Sequence, residues 1–536
     1  MKRRDIWFVV GVLLVLLGIL MFIGVVFGAT CDRWVKSPAR VNGLPDIGDN
    51  PGPVICYNCT GIGYWELIIG RSAGNFWGFY WNGTSWVRND SLVVAGLPDL
   101  EVNTDPAVCY NCTGSGHWEL IAGSQYNCFG FYWNGTQWVR NDSLIIPGLS
   151  CDWDAYYTPE ICYNCTGNGY WELIIGCKAG TLRGYYWNGT QWVRDSSIVA
   201  GVGDVGCYAN PAVCNNCTGS GHWELFVGQD TGYCGGNNVY GFYWNGTQWV
   251  QDDNIVAGLN NNIGRFASPA VCNNCTGSGR WEMIAGELYG AFRGFKYVDT
   301  YAGINIIQDA IPNKTYIPAG ENNTITAKAQ SDCGLKHANI SVYDPETGTW
   351  VVNDGTFSQV SLTNDDSEQT ASFTGKPSET SCDSEIKVKV TFVDYGGVTA
   401  TTSNGTYYFM PYLHSTSNSS IVSGIASCSS VHNATITPTG SGDVNLTFYM
   451  PYFVRNATFK ECNYEVTEDA DRVKISPSTE YCAVYVTNLE AESGTSFYVK
   501  ESTGLKAYPP SNLPAAVASA GLVIIFIYTI ATRKRS

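Results

Sequence analysis

Five near-copies of one stretch decide what this chain can fold into. The second copy runs from Pro106 to Leu149, PAVCYNCTGSGHWELIAGSQYNCFGFYWNGTQWVRNDSLIIPGL, and the copies open at Pro53, Pro106, Pro159, Pro211 and Pro269. Their first cysteines, Cys56, Cys109, Cys162, Cys214 and Cys272, are spaced 53, 53, 52 and 58 residues apart. The copies carry neither a heptad nor a helical period, so the chain reads as an array of small β units. Trp118 to Ala122 reads as a strand ending at Gly123. Phe131-Tyr132-Trp133 and Gln137-Trp138-Val139 flank Asn134-Gly135, a hairpin turn whose two central residues need positive φ. With Ala107-Val108 as a short entry strand, each copy supplies three or four strands. That matches a β-propeller blade better than one rung of a stacked solenoid.

The ends of the array complement one another. Residues 31–44, CDRWVKSPARVNGL, look like the tail of a copy: Trp34-Val35-Lys36 matches Trp138-Val139-Arg140, and Gly43-Leu44 matches Gly148-Leu149. The fifth copy keeps Gly294-Phe295-Lys296-Tyr297 but has Val298-Asp299-Thr300-Tyr301 where the last strand belongs. The expectation is an all-β chain whose N-terminal strand completes the last blade and closes a five-bladed β-propeller over residues 31–311, leaving no exposed edge between first and last blade. Residues 312–410 turn to alternating Thr, Ser, Val and Ile and read as an immunoglobulin-like β-sandwich that Cys333 and Cys382 would bridge. Residues 411–510 read as a second β-sandwich holding Cys428, Cys462 and Cys482, with Tyr508-Pro509-Pro510 as a stiff exit.

Charge and cysteine narrow the partners. With 31 basic against 47 acidic residues, net -16, nucleic acid is excluded as a partner. Met1-Lys2-Arg3-Arg4 precedes an apolar run from Ile6 to Phe27, and Ala515 to Ala531 is apolar before Arg533-Lys534-Arg535. Twenty-two residues at about 1.5 Å each span roughly 33 Å. Residues 1–30 are therefore expected to be a transmembrane anchor or a signal peptide, and residues 511–536 a second membrane helix with a basic tail. The basic flanks place both termini in the cytoplasm unless the first is cleaved, and the rest at the cell surface. Twenty-one cysteines fit that oxidising location. So do roughly nineteen Asn-x-Ser/Thr sequons, among them Asn82, Asn134, Asn188, Asn245, Asn339, Asn404 and Asn456.

The segment Asn111-Cys112-Thr113-Gly114-Ser115-Gly116-His117-Trp118-Glu119-Leu120 resembles the FG-GAP/VCBS repeat of integrin alpha-chain propellers and many microbial surface proteins. That family's pattern is D-x-D-x-D-G-x-x-D-L before a strand ending in glycine. Asn111, Thr113 and Ser115 stand where its first three aspartates would, and Glu119 stands for the last carboxylate. The resemblance covers about half the chain and implies a propeller whose blade loops hold Ca²⁺. The sets it implies are Asn111, Thr113, Ser115 and Glu119; Asn164, Thr166, Asn168 and Glu172; and Asn216, Thr218, Ser220 and Glu224. Each loop offers one carboxylate, whereas Ca²⁺ takes six to eight oxygens, and Ile62 in the first copy cannot ligate. The competing reading is a loop held without metal by hydrogen bonds and disulfides.

The cysteines favour the second reading. In Cys56/Cys59, Cys109/Cys112, Cys162/Cys165, Cys214/Cys217 and Cys272/Cys275 the partners are three residues apart in a turn, within disulfide reach. Zinc would need two such half-sites side by side. Cys128 with Cys151, and Cys177 with Cys207, are further candidate pairs. The hairpin tryptophans Trp81, Trp86, Trp133, Trp138, Trp187, Trp192, Trp244 and Trp249 suit cross-strand packing more than stacking on sugars. His117 and His222 share a repeat position with Tyr64, Tyr170 and Arg280, and no catalytic motif is present. The expected function is cell-surface recognition or adhesion, with an extracellular protein or glycan bound through a propeller face. A coat or S-layer-like envelope protein is the alternative, and a carbohydrate-active enzyme the least favoured reading.

Overall fold

The computed structural model describes residues 29–145, 151, 156–260, 262–378, 381–425, 427–456, 459–467 and 470–502. Strand β1 (Ala29–Lys36) comes first. Four four-stranded antiparallel sheets follow in chain order. They are β2–β5 (Gly52–Tyr57, Trp65–Gly70, Phe76–Trp81, Trp86–Arg88), β6–β9 (Asp105–Tyr110, Trp118–Gly123, Cys128–Trp133, Trp138–Arg140), β10–β13 (Thr158–Tyr163, Trp171–Gly176, Leu182–Trp187, Trp192–Arg194) and β14–β17 (Asn210–Asn215, Trp223–Gly228, Val239–Trp244, Trp249–Gln251). The fifth sheet has the order β1-β20-β19-β18, with β18 Ser268–Asn273, β19 Trp281–Gly286 and β20 Phe292–Tyr301. Strand β1 pairs with β20 through Trp34↔Tyr297 and Lys36↔Phe295. The N-terminal strand thus supplies the fourth strand that the last copy lacks.

Two contacts recur between neighbouring sheets. The second strand of each ends in a glycine against the chain entering the next sheet: a Cβ on Gly70 would lie 2.3 Å from Thr104 O, and one on Gly123, Gly176 or Gly228 would lie 1.9 Å from a neighbouring carbonyl. On Gly286 it would lie 2.2 Å from Pro51 O, so the fifth sheet abuts the first in the same way. The outer-strand tryptophans are buried and donate indole N–H groups to the preceding sheet: Trp138 to Val93 O (3.0 Å), Trp192 to Leu144 O (3.1 Å) and Trp249 to Ile198 O (2.8 Å). Trp86 reaches Arg40 O and Trp34 reaches Ile255 O, each at 2.9 Å. Trp81, Trp133, Trp187 and Trp244 pack edge-on against their hairpin partners at 5.5–5.6 Å. The buried outer-strand rings cement the sheets, and the half-buried rings pack on them as cross-strand partners.

Beyond Tyr301 the alternation predicted from Thr- and Val-rich sequence gives two sandwiched cores. One packs Ile325, Phe373, Val390, Phe392 and Tyr407; the other packs Leu446, Phe448, Val484, Val486 and Phe497. The first is tied to the propeller-like region by the Cys31–Cys333 disulfide, by a Lys36↔Asp365 bridge and by a Tyr301–Asp394 hydrogen bond.

Several expectations need correction. The fold class does not stand as stated: the sheets are separate propeller-like units, with no closed barrel, and no helix among the described residues is long and apolar enough to cross a membrane. The described α-helices, Asp90–Val93 and Thr231–Cys234, have four residues each, where a span needs about twenty. The expected membrane helix at each end, and the cell-surface location with cytoplasmic termini built on them, are therefore withdrawn; both apolar runs lie outside the described residues. Cys333 and Cys382 do not bridge one sandwich. Cys333 joins Cys31 and Cys382 joins Cys428: Cys333 lies in the turn between the strands Asn323–Ser331 and Leu335–Asp344 and Cys382 in the turn before Glu385–Asp394, so neither stands on a strand facing the opposite sheet. Nor do Cys128 with Cys151, or Cys177 with Cys207, pair. The bridges are Cys151–Cys177 and Cys207–Cys234, each tying an inter-sheet linker to the loop of the sheet that follows it, and Cys128 is a buried free thiol.

Candidate binding face and candidate metal loops

Antiparallel pairing gives every sheet two ends of opposite character. At one end lie the Asn-Gly-Thr hairpins and the Cys-x-x-Cys loops, fixed by pairs such as Tyr110↔Trp118 and Trp133↔Trp138. At the other lie the loops joining second to third strands, fixed by pairs such as Gly123↔Cys128. The inner strands β2, β6, β10, β14 and β18 lie side by side in that cyclic order. Their first residues Gly52, Asp105, Asn210 and Ser268 line one cavity, so equivalent ends share a face.

The hairpin face is built alike in four of the five sheets. Asn82, Asn134, Asn188 and Asn245 are exposed at the hairpin tips, and each Oδ1 accepts two main-chain N–H groups at 2.9 Å. In the sandwiches Asn404 is exposed, Asn339 is half-buried, and Asn456 ends the strand Phe453–Asn456.

The Cys-x-x-Cys loops close on a buried glutamate. Cys56–Cys59, Cys109–Cys112, Cys162–Cys165, Cys214–Cys217 and Cys272–Cys275 are disulfides. In each loop both cysteine sulfurs and one carboxylate oxygen, from Glu66, Glu119, Glu172, Glu224 or Glu282, lie within 4.8 Å of one another. These are candidate Cys/Glu metal groups, but a metal would need the thiolates that the disulfide consumes. The carboxylate is already engaged: Thr60 donates to Glu66 from N and Oγ1 at 3.1 and 2.9 Å, and Thr113, Thr166, Thr218 and Thr276 repeat the pattern. Burial pushes the Glu66 and Glu172 carboxyls above the ordinary range, against the pull of these hydrogen bonds. Arg40 adds an ion pair to Glu282 at 2.9 Å.

The oxygens proposed for Ca²⁺ turn inward in the same way. Asn111, Asn164 and Asn216, all at positive φ, each accept a glycine N–H at 2.6 Å, from Gly116, Gly169 and Gly221. Ser115 and Ser220 accept from His117 and His222 at 3.2 Å, Asn168 accepts from Tyr170 at 2.9 Å, and Ser220 also donates to Glu224. The loop is thus satisfied by its own donors, and the residues do not fit an open shell of calcium ligands. His117 and His222 pack on Tyr132 and Tyr243 at 5.4 and 5.3 Å, as Tyr64 and Tyr170 pack on Tyr80 and Tyr186.

The opposite face is irregular. Its loops Arg71–Asn75, Ser124–Asn127, Cys177–Thr181, Gln229–Asn238 and Glu287–Ala291 differ in length and composition. Tyr126, Tyr233 and Tyr289 stand 59, 76 and 69% exposed on them. At the centre Tyr208 and Phe266 take left-handed φ of 57° and 53°, uncommon for bulky residues. Tyr156 and Tyr208 meet at 5.1 Å, and Tyr208 and Phe266 at 4.5 Å. Below them Asn210 Nδ2 donates to Asp105 Oδ2 at 2.5 Å and to Ser268 Oγ at 2.9 Å, joining three sheets across the axis. Burial pushes the Asp105 carboxyl up to about 7 and that of Glu160, two residues into β10, up to about 8. The axial cavity measures about 10 Å³, room for one water-sized group and too little for a sugar ring.

Sequence reasoning missed this centre. Its residues immediately precede the repeat prolines, where Gly52, Asp105, Thr158, Asn210 and Ser268 differ from copy to copy. A carboxylate at one of five equivalent strand starts was the signal available.

The fold and this face define an all-β, disulfide-rich chain with propeller-like sheets. No protein-family profile and no curated protein matches it. Among solved structures it is similar to a fucose lectin from Kordia zhangzhouensis in complex with methyl-fucoside (14% identity, 27% of this chain and 98% of that chain, TM-score 0.19). It is also similar to a mutant of AofleA from Arthrobotrys oligospora (10% identity, 62% and 92%, TM-score 0.30) and to Trypanosoma rangeli sialidase (8% identity, 85% and 82%, TM-score 0.27). Likenesses this weak carry no argument about function.

Proposed function

We propose that this chain is a recognition protein that binds a protein or glycan partner through the face formed by the loops between second and third strands. One observation carries the reading: loop length and composition vary from sheet to sheet on that face, which also presents Tyr126, Tyr233 and Tyr289, while the opposite face bears the sequons and repeats the same exposed tyrosine at Tyr57, Tyr110 and Tyr163. Tyrosine supplies large, rigid contact area with a polar tip, at low entropic cost. N-linked glycans on Asn82, Asn134, Asn188 and Asn245 would cover the hairpin face and leave the loop face free. An envelope coat built by strand-to-strand pairing is disfavoured, because the outer strands in the first four sheets have three residues each. A carbohydrate-active enzyme is disfavoured because, among the described residues, the axial cavity is lined by a single carboxyl, Asp105, and is too small for a sugar ring to enter.

The test is capture by the full chain on a glycan array and from a protein mixture, with a loop-tip variant (Tyr126→Ala, Tyr233→Ala, Tyr289→Ala) beside a hairpin variant (Asn134→Gln, Asn188→Gln). Binding that falls at least tenfold in the first and stays unchanged in the second supports the face. The reverse pattern refutes it.

A further inference from the structure

The axial cavity has a chemistry of its own. Asp105 is 7% exposed, and its Oδ2 is held by Asn210 while Oδ1 accepts no hydrogen bond among the described residues. Asn50 lines the same cavity, and its Oδ1 is buried with no partner among the described residues. Ser268 Oγ, the third oxygen, accepts only from Asn210. Asn50 Oδ1 therefore lacks any donor, while Asp105 Oδ1 and Ser268 Oγ each keep a lone pair free beside the same water-sized space. The outer wall is aromatic: Tyr156, Tyr208 and Phe266 complete the lining. Aromatic faces attract a cation and offer nothing to an anion. One ammonium of the chain, Lys178 Nζ, already lies 5.5 Å from the Tyr208 ring centroid.

We propose that the axial cavity binds one primary ammonium group, its three N–H donors shared among Asp105, Asn50 and Ser268 and its charge set against the aromatic rim. Sodium would need about six oxygens, more than the cavity offers, whereas a primary ammonium needs three acceptors. A quaternary ammonium exceeds the space. The group comes either from a small free amine or from a lysine of a bound partner. The chain's net charge of -16 favours the approach of either. The site stands on the axial geometry alone and is independent of the recognition reading, although it lies on the same face.

The experiment is titration of the full chain at pH 8 with methylammonium chloride, followed by saturation-transfer NMR, beside tetramethylammonium and a Gly-Lys-Gly amide. Methylammonium is expected to bind saturably, at least tenfold more weakly to Asp105→Asn, while tetramethylammonium fails to bind. Peptide binding that also depends on Asp105 assigns the site to a partner's lysine; methylammonium alone assigns it to a free amine. Should Asp105→Asn not fold, the wild-type chain at pH 5.5 replaces it. There Asp105 is protonated, with Glu160 and Lys178 the other charged groups nearby, and binding drops at least tenfold. No saturable methylammonium binding at pH 8, or equal binding by wild type and Asp105→Asn, overturns the proposal. Loop-tip variants that leave methylammonium binding intact while abolishing partner capture keep the two readings separate.

Discussion

Truncating Trp34 to alanine tests whether the N-terminal strand finishes the fifth sheet. Its side chain is fully buried and packs edge-on against Phe226 and Tyr297 at 5.7 and 5.6 Å. Its indole donates to Ile255 O at 2.9 Å, and its main-chain N–H to Ala257 O at 2.8 Å. Deleting so large a buried side chain costs about 3–5 kcal/mol, and the orphaned Ile255 carbonyl adds about 1 kcal/mol. The Cys31–Cys333 disulfide keeps β1 tethered, so the loss should be local opening and not release of the strand. At about 1.4 kcal/mol per decade, amide hydrogen exchange along β20 should accelerate roughly a thousandfold or more. The sheets of residues 52–140, which lack contact with Trp34, should keep their protection. Trp34→Phe retains most of the packing and loses the N–H, so about tenfold is expected. Exchange along β20 that changes by less than about threefold in Trp34→Ala would refute the reasoning, as would an equal change in every sheet.

Other outcomes follow from the same contacts. Gly286→Ala places a Cβ 2.2 Å from Pro51 O and should lower the melting temperature by several degrees, whereas Gly203→Ala, with open space around its Cβ site and no left-handed φ, should cost less. Asp105 and Glu160 have carboxyls raised by burial to about 7 and about 8. The fold therefore favours their neutral forms, and their contribution is complete below about pH 4 and lost as pH rises through 7–8. Melting temperature should fall less steeply between about pH 4 and 8 for Asp105→Asn/Glu160→Gln than for wild type, and the two should run parallel above that range. Of the 21 cysteines, twenty form disulfides and Cys128 is buried with its thiol pushed far above the ordinary range. Iodoacetamide should leave the native chain unlabelled and add one label after denaturation, read by intact mass.

What the sequence disclosed was what a short window determines. Asn134-Gly135 marked its hairpin, although only Gly135 takes positive φ and the loop runs over the four residues Asn134 to Gln137, closed by the Asn134 side chain, and Trp34-Val35-Lys36 was recognisable as a displaced last strand because it repeats a local pattern. Disulfide partners were not legible, because Cys151 and Cys177 meet only where a linker crosses the next sheet's loop. The glutamate of each Cys-x-x-Cys loop was visible but ambiguous. A carboxylate at that spacing serves a metal or its own loop equally well on paper, and the Thr113–Glu119 hydrogen bonds that distinguish the two exist only in three dimensions. Asp105 was hidden because one odd residue among five looks like noise until the five strand starts converge on an axis.

Obligations of packing also explain why the repeats diverge where they do. The hairpin between third and fourth strands must bring a tryptophan N–H to a carbonyl of the previous sheet, so its length is fixed. The Cys-x-x-Cys loop must return a threonine to a buried glutamate, which fixes its length too. The glycine closing each second strand must accept a neighbouring carbonyl at a distance that no side chain tolerates. Past that glycine the loop is held to the linker beside it by main-chain bonds such as Gln125 N–H to Val102 O and Asp230 N–H to Cys207 O, and in two sheets by a disulfide, none of which fixes the loop's length. A ten-residue excursion at Gln229–Asn238 is therefore tolerated where elsewhere four or five residues suffice. Freedom to vary and exposure to solvent coincide at the tips of these loops, so selection for a binding specificity can act there while the strand starts, where Asn210 joins Asp105 and Ser268, keep the sheets together.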